Sequence, residues 1–475
     1  MFTSWEFWLF TLVILALTQV LPRRTQNLLV LAASYLVYAY LDLRFMWLIA
    51  AMTLVNFWLG RLIAPKRKGY LAAGVIFNLL TFAFFKYASG LAEFVNPILT
   101  RLGVAASPLI TDLLLPLGLS FYTLRLIAYL FEVYNAQVPA SDKLIDFGLY
   151  VAFFPQLAAG PIVRAKPFLT SLKSFRGLTQ QQFIDGLTLI FLGFFYKNAI
   201  ADPLAVLLPT LAPSIAELTP SNALLSMLLY SFRIYADFAG YSLLAIGVST
   251  WFGLPTVENF RQPYFARSVT EFWNRWHISL STWLRDYVFY PISRSMLRRW
   301  RNAPTRFLQV IALMVTMLAS GLWHGTGWQF IAWGALYGLT MSLERLLQPR
   351  VKIEPDRQPR LVRALGSGLG MIYTFAVVSA AWVLFSSTSI AEAGLFFGRL
   401  TAGNPFTDLT ALWWTRLLTP LSLLLIVDLP QAWTNNALFI WQIRPIWRIA
   451  LCALLLLSIF IFGSQTHAPF VYFQF

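Results

Sequence analysis

Apolar residues in this chain gather in runs of about 20, the length a helix needs to cross the hydrocarbon core of a bilayer, and short polar stretches separate them. The runs centre near Val13, Ser34, Leu54, Phe77, Leu119, Phe191, Ala236, Val315, Leu336, Val377, Leu424 and Leu455. They predict an all-α polytopic membrane protein, with about a dozen transmembrane helices in one integral domain over residues 1–475. The stretch Val151-Ala152-Phe153-Phe154-Pro155-Gln156-Leu157-Ala158-Ala159-Gly160-Pro161 lies between two loops expected on the same side. Its prolines and Gly160 suit a re-entrant segment sheltered by protein.

The polar stretches carry the basic residues: Arg23-Arg24, Lys66-Arg67-Lys68, Arg164 with Lys166, Lys173 and Arg176, Arg294 to Arg306, and Arg345 to Arg363. With alternating helices these clusters fall on one side, which the positive-inside bias makes cytoplasmic, and both termini then face outwards. In a soluble protein a net charge of +16 would suggest nucleic acid; here it sets orientation in a lipid bilayer, and no nucleic-acid partner is expected. A composition of 58% apolar and 12% charged residues, with mean hydropathy +0.65, excludes an ordinary soluble domain. Met1 to Phe10 carries Glu6 and no basic run, so the first helix is expected to be retained rather than cleaved. The single Cys452 can form no intramolecular disulfide and no cysteine-rich metal site. Walker, HExxH and GxSxG motifs do not occur, so no metal is invoked and ATPase, zinc hydrolase and serine hydrolase readings fall away.

Chemistry is concentrated in two Trp-His dipeptides, Trp276-His277 and Trp323-His324, in a chain with only three histidines. Ionisable groups at bilayer depth are costly and mark function by default. From Glu271 to Ile292 the helical period puts Trp273, Trp276, His277, Leu280, Trp283, Leu284 and Tyr287 on one arc, which predicts an amphipathic helix at the membrane surface. His277 then faces inward, either as a core histidine bonded to backbone or to Ser281, or as the lining of a cavity beneath the helix. His324 ends the apolar run from Phe307 to Leu322 and precedes Gly325 and Gly327, so the chain from Arg306 to Glu344 reads as two helices with His324 at the turn. There a neutral imidazole can take a proton away from bulk water; a headgroup-level histidine without catalytic role is the alternative. Arg233 and Asp237 stand at i and i+4 and are expected to form a structural ion pair. Arg125 and Glu132 share a helical face and read as structural too.

These residues resemble the membrane-bound O-acyltransferases, in particular the bacterial branch containing the alginate O-acetylation membrane protein. The resemblance rests on residues 115–122, 153–162, 235–242, 272–287 with their Phe-Trp-Asn-Arg-Trp-His, Trp323-His324-Gly325, and the ending 469–475. It implies a multi-helix fold around a funnel or tunnel in the bacterial cytoplasmic (inner) membrane. His324 would be essential for acyl transfer and His277 would line the same cavity. It further implies acetylation of hydroxyls on an exported polysaccharide or cell-wall glycan, with acetyl-CoA or another cytoplasmic acyl thioester as donor substrate and no bound cofactor. A periplasmic or lipoprotein acetyltransferase would be the partner. Trp323, Trp328 and Trp276 are expected as cavity wall, and Asn274 or Arg275 as groups that orient a neighbour. D-alanyl transfer to teichoic acid and a transporter without acyl chemistry are the alternatives. The chain departs from that branch at Leu243-Leu244, at residues 290–294 and at Ser386, which bears on the polymer more than on the reaction.

Overall fold

The computed structural model describes residues 2, 4–63, 67–101, 115–158, 160–174, 177–347, 360–464 and 468–471. Lys66, Ala159, Arg176, residues 348–359 and residues 472–475 of the stretches named above lie outside them. The described residues are overwhelmingly helical and contain no strand. Helices satisfy their own backbone hydrogen bonds inside lipid. Seven of the described helices are long and apolar enough to cross a membrane: Thr25–Ile63, Lys68–Ala88, Gln180–Leu211, Thr305–His324, Leu361–Ser386, Ala411–Thr434 and Pro445–Phe462. The expected runs near Ser34 and Leu54 merge into the first of these, with a tight turn at Leu43–Phe45. The runs near Ala236 and Leu336 form the long helices Pro220–Trp251 and Trp328–Leu347, and the run near Val13 forms the 16-residue helix Trp5–Val20. Leu119 begins a helix, Leu119–Tyr134, instead of centring one.

The chain divides into two compact units. The first, residues 1–187 with 245–257, contains the proline-interrupted stretch, which is broken between helices Leu144–Ala152 and Phe154–Leu157. Residues 147–158 are buried throughout. Buried Arg125 binds the carbonyls of Tyr150 (3.2 Å) and Pro161 (3.0 Å) and the side-chain oxygen of Gln156 (2.9 Å). Its guanidinium thus supplies the donors that the broken helix lacks. Glu132 accepts from the Lys166 amide instead of meeting Arg125.

The second unit, residues 188–244 with 258–475, holds both Trp-His dipeptides. Here one expectation is overturned. Asp237 does not pair with Arg233; it accepts from Lys197 Nζ (2.7 Å) and from the Val471 amide (2.7 Å), and Lys197 also reaches Asp202 (2.8 Å). Lys197 sits in a widened turn, Phe195–Ala201, that brings a fully opposed charge to the buried face of the neighbouring helix. Spacing along one helix could not anticipate that competitor, and buried carboxylates go to the partner that is buried with them.

Candidate active site

His324 is the last residue of helix Thr305–His324, and the chain leaves it through Gly325 in an extended conformation before helix Trp328–Leu347 begins. This agrees with the expected hairpin. The two helices pack closely because Gly321 lies against the Phe330 carbonyl and Gly334 against the Met317 carbonyl, positions where a Cβ would collide with backbone. A Cβ on Gly325 would enter the Phe330 ring. The imidazole of His324 is 4% exposed and is enclosed by the rings of Trp323, Trp333 and Phe385, with centroids 4.8, 4.9 and 5.3 Å away and planes within 16° of perpendicular. Such faces exclude water and favour a cation formed between them.

The stretch from Glu271 to Ile292 is not the single amphipathic helix its periodicity predicts. A short helix, Val269–Trp273, is capped by Ser268 Oγ on the Glu271 amide (3.0 Å). The Glu344 carboxylate also caps it, accepting from the amides of Val269 (2.6 Å) and Thr270 (2.9 Å) and from the Thr270 hydroxyl (2.7 Å). The chain then turns, and His277 adopts the left-handed conformation, φ 42° and ψ 52°, before helix Ile278–Leu284 and a widened turn at Arg285–Phe289. A left-handed non-glycine residue costs of order 1–3 kcal/mol and persists only where its surroundings fix it. Because the chain turns there, residues on the two sides of His277 do not share an arc.

His277 is fully buried, and its Nδ1 lies 3.1 Å from Asn259 Oδ1. Ser281 meets His277 through the backbone, its amide donating to the His277 carbonyl (2.9 Å), while its hydroxyl donates to the Trp276 carbonyl (3.1 Å). The edge-on ring of Phe238 is 4.7 Å away. Burial pushes the imidazole, which lies outside the membrane-length helices, down to about 3, so it is neutral at physiological pH.

The two histidines come together around Trp323, whose indole lies 6.4 Å from the His277 ring and 4.8 Å from the His324 ring. Trp276 is buried beside this site, packed on Phe260 (4.9 Å), Trp382 (4.8 Å) and Phe272 (5.5 Å). Trp328 is elsewhere. It is 74% exposed at the start of its helix, so it forms no buried wall; Trp333 and Trp382 take that place. Arg275 binds Glu271 (2.7 Å), and Asn274 lies on a cavity of about 380 Å³. That cavity is lined by Trp273, Ser281, Thr282, Met317, Arg285 and Arg345 among others, and neither histidine lines it. Trp273 links the two, since its ring is 5.7 Å from Trp333, which covers His324.

Asn259 and Glu344 were the residues sequence reasoning missed. The Ser268-x-x-Glu271 capping box was a usable signal for the earlier helix start; nothing local announces Asn259, which acts from 18 positions away.

Comparison with known proteins places the sequence in a family. The model of the membrane-bound O-acyltransferase family matches residues 139–387, which include both Trp-His dipeptides. The chain belongs to that family. It is 36% identical to the probable alginate O-acetylase of Azotobacter vinelandii over 84% of this chain and 77% of the relative. Identity to the probable alginate O-acetylase of Pseudomonas putida is 34% over 98% of each. To the peptidoglycan O-acetyltransferase of Helicobacter pylori it is 30% over 76% of this chain and 71% of the relative. The chain is therefore an O-acyltransferase and a multi-pass inner-membrane protein.

Proposed function

We propose that this O-acyltransferase moves acetyl from a cytoplasmic acyl thioester, acetyl-CoA or a similar donor, towards hydroxyls of an exported polysaccharide or cell-wall glycan. The seven membrane-length helices and their companions would surround a funnel, the two compact units would serve one membrane domain, and the basic clusters would face the cytoplasm. The observation that carries the reading is the enclosure of His324 by three aromatic rings at a helix end, beside His277. A thioester is already activated, so the protein has to align it, remove one proton and stabilise the developing oxyanion.

In this reading His324 is the general base. As the acceptor oxygen attacks the thioester carbonyl, the imidazole takes the hydroxyl proton; the tetrahedral intermediate then collapses, the C–S bond breaks, and the imidazolium returns the proton to the departing sulfur. Products are an ester and a free thiol. The aromatic enclosure supports the brief imidazolium and keeps water from hydrolysing the thioester. Arg285 and Arg345 at the 380 Å³ cavity give a donor phosphate two cationic partners. The described loops offer no large extramembrane surface for a long glycan, which supports delivery through an extracytoplasmic acetyltransferase partner.

The test is ester-linked acetyl on exported polymer, measured by NMR from cells lacking the chromosomal copy and complemented with this chain. Restored acetyl supports the reading; restored D-alanyl ester, or export without any ester, overturns it. Purified chain in liposomes, given acetyl-CoA and glycan alone, should fall well short of the cellular rate. The full rate there would remove the partner from the account.

A further inference from the structure

The hydrogen bonds around Asn259 fix more than the position of His277. Asn259 is buried, and its Oδ1 meets three groups: the Ser279 amide (3.3 Å), the Ser279 hydroxyl (2.9 Å) and His277 Nδ1 (3.1 Å). A backbone N–H can only donate, so the Asn259 atom facing it must be the oxygen. The other end agrees, because Nδ2 donates to Ser242 Oγ (3.1 Å). The backbone pins the same pairing: Ile278 N–H donates to the Asn259 carbonyl (3.0 Å), and Arg261 N–H donates to the Arg275 carbonyl (2.9 Å). These bonds bracket His277 on both sides and hold it left-handed.

We propose that Asn259 is a positioning residue that locks His277 in the tautomer protonated on Nδ1, so that Nε2 carries the lone pair. An oxygen already accepting from Ser279 can take from His277 only a proton, never offer one. With Nδ1–H committed, the neutral ring has a single basic nitrogen, aimed by the same bonds. An amide does this without adding charge, unlike a carboxylate, which would also favour an imidazolium. His277 is thus set as a neutral acceptor beside His324, able to receive a hydrogen bond from the hydroxyl or from a neighbouring donor. The tautomer lock itself stands on geometry, whereas its catalytic consequence rests on the acyl-transfer reading above.

The chain's three histidines make the test direct. Full-length protein labelled with [¹⁵N]histidine is reconstituted in lipid vesicles and its imidazole nitrogens are recorded by solid-state NMR, with His277 assigned by the signal lost in His277→Gln. Wild type should show Nδ1 protonated and Nε2 bare. Asn259→Asp keeps the acceptor and should keep Nδ1 protonated, while its added charge draws Nε2 towards protonation as well. Asn259→Leu should shift His277 to the other tautomer or a mixture, with the His324 signals unmoved, and lower ester formation by about 10²-fold or more. A wild-type His277 protonated on Nε2 overturns the proposal even if the Leu variant fails to fold. So does an unchanged tautomer in a folded Asn259→Leu protein. Failure of acyl transfer itself would leave the tautomer result standing, so the two readings fail separately.

Discussion

The two histidines of this site are held by opposite means. His324 ends a regular helix, takes its place from helix packing, and is enclosed by rings. His277 interrupts its helix, stands in a left-handed conformation, and is held by a network of hydrogen bonds through Asn259. The difference teaches that one site can combine a group enclosed by packing with one fixed by backbone conformation and a shared acceptor. Ring packing surrounds one imidazole with aromatic faces that favour a cation, whereas a shared acceptor ties the other ring to one tautomer. The first arrangement suits proton transfer and the second suits alignment.

Substitutions that break one arrangement should leave the other readable. The largest loss is expected from Gly334→Val, which drives a side chain into the Met317 carbonyl and forces the His324 hairpin apart. Overpacking costs on the order of 1–3 kcal/mol and more where backbone must move, so thermal unfolding in detergent should fall sharply and activity with it; an unchanged transition would contradict the close packing. His277→Ala removes a partner of buried Asn259 and should cost about 1–3 kcal/mol, besides impairing acyl transfer. His277→Gly removes the same imidazole yet relieves the left-handed backbone, so it should be about 1 kcal/mol more stable than His277→Ala. Equal stability of the two would mean that the strain at residue 277 is not real. Trp328→Ala should be nearly silent, within about 0.5 kcal/mol and with ordinary activity. A marked loss would restore Trp328 to the site.

The same contrast explains what the sequence disclosed. The His324 hairpin was legible to within a residue or two, because an apolar run, two glycines and a second run are local signals, and close packing through small residues obeys them. The Val151 to Pro161 break was legible for the same reason. The His277 segment was not, since the 100° arc presumes an unbroken helix and a left-handed residue cancels it. What fixes that residue comes from Asn259, and what caps the short helix before it comes from Glu344, both at long range. Asp237 taught the same lesson: its i–4 neighbour Arg233 lost to Lys197, 40 residues away in sequence. Trp328 shared the glycine-rich turn but not the burial. The two histidines proposed to act in acyl transfer were visible by rarity and by resemblance; the residues around them were visible only in three dimensions.

The central claim, that His324 removes the proton and the surrounding fold does not depend on it, is tested by His324→Ala measured for ester formation and for thermal unfolding on one preparation. Ester formation should drop about 10²- to 10⁴-fold, as expected for loss of a general base, while the unfolding transition stays near that of wild type. A well-folded His324→Ala protein that forms ester at the ordinary rate would contradict the account.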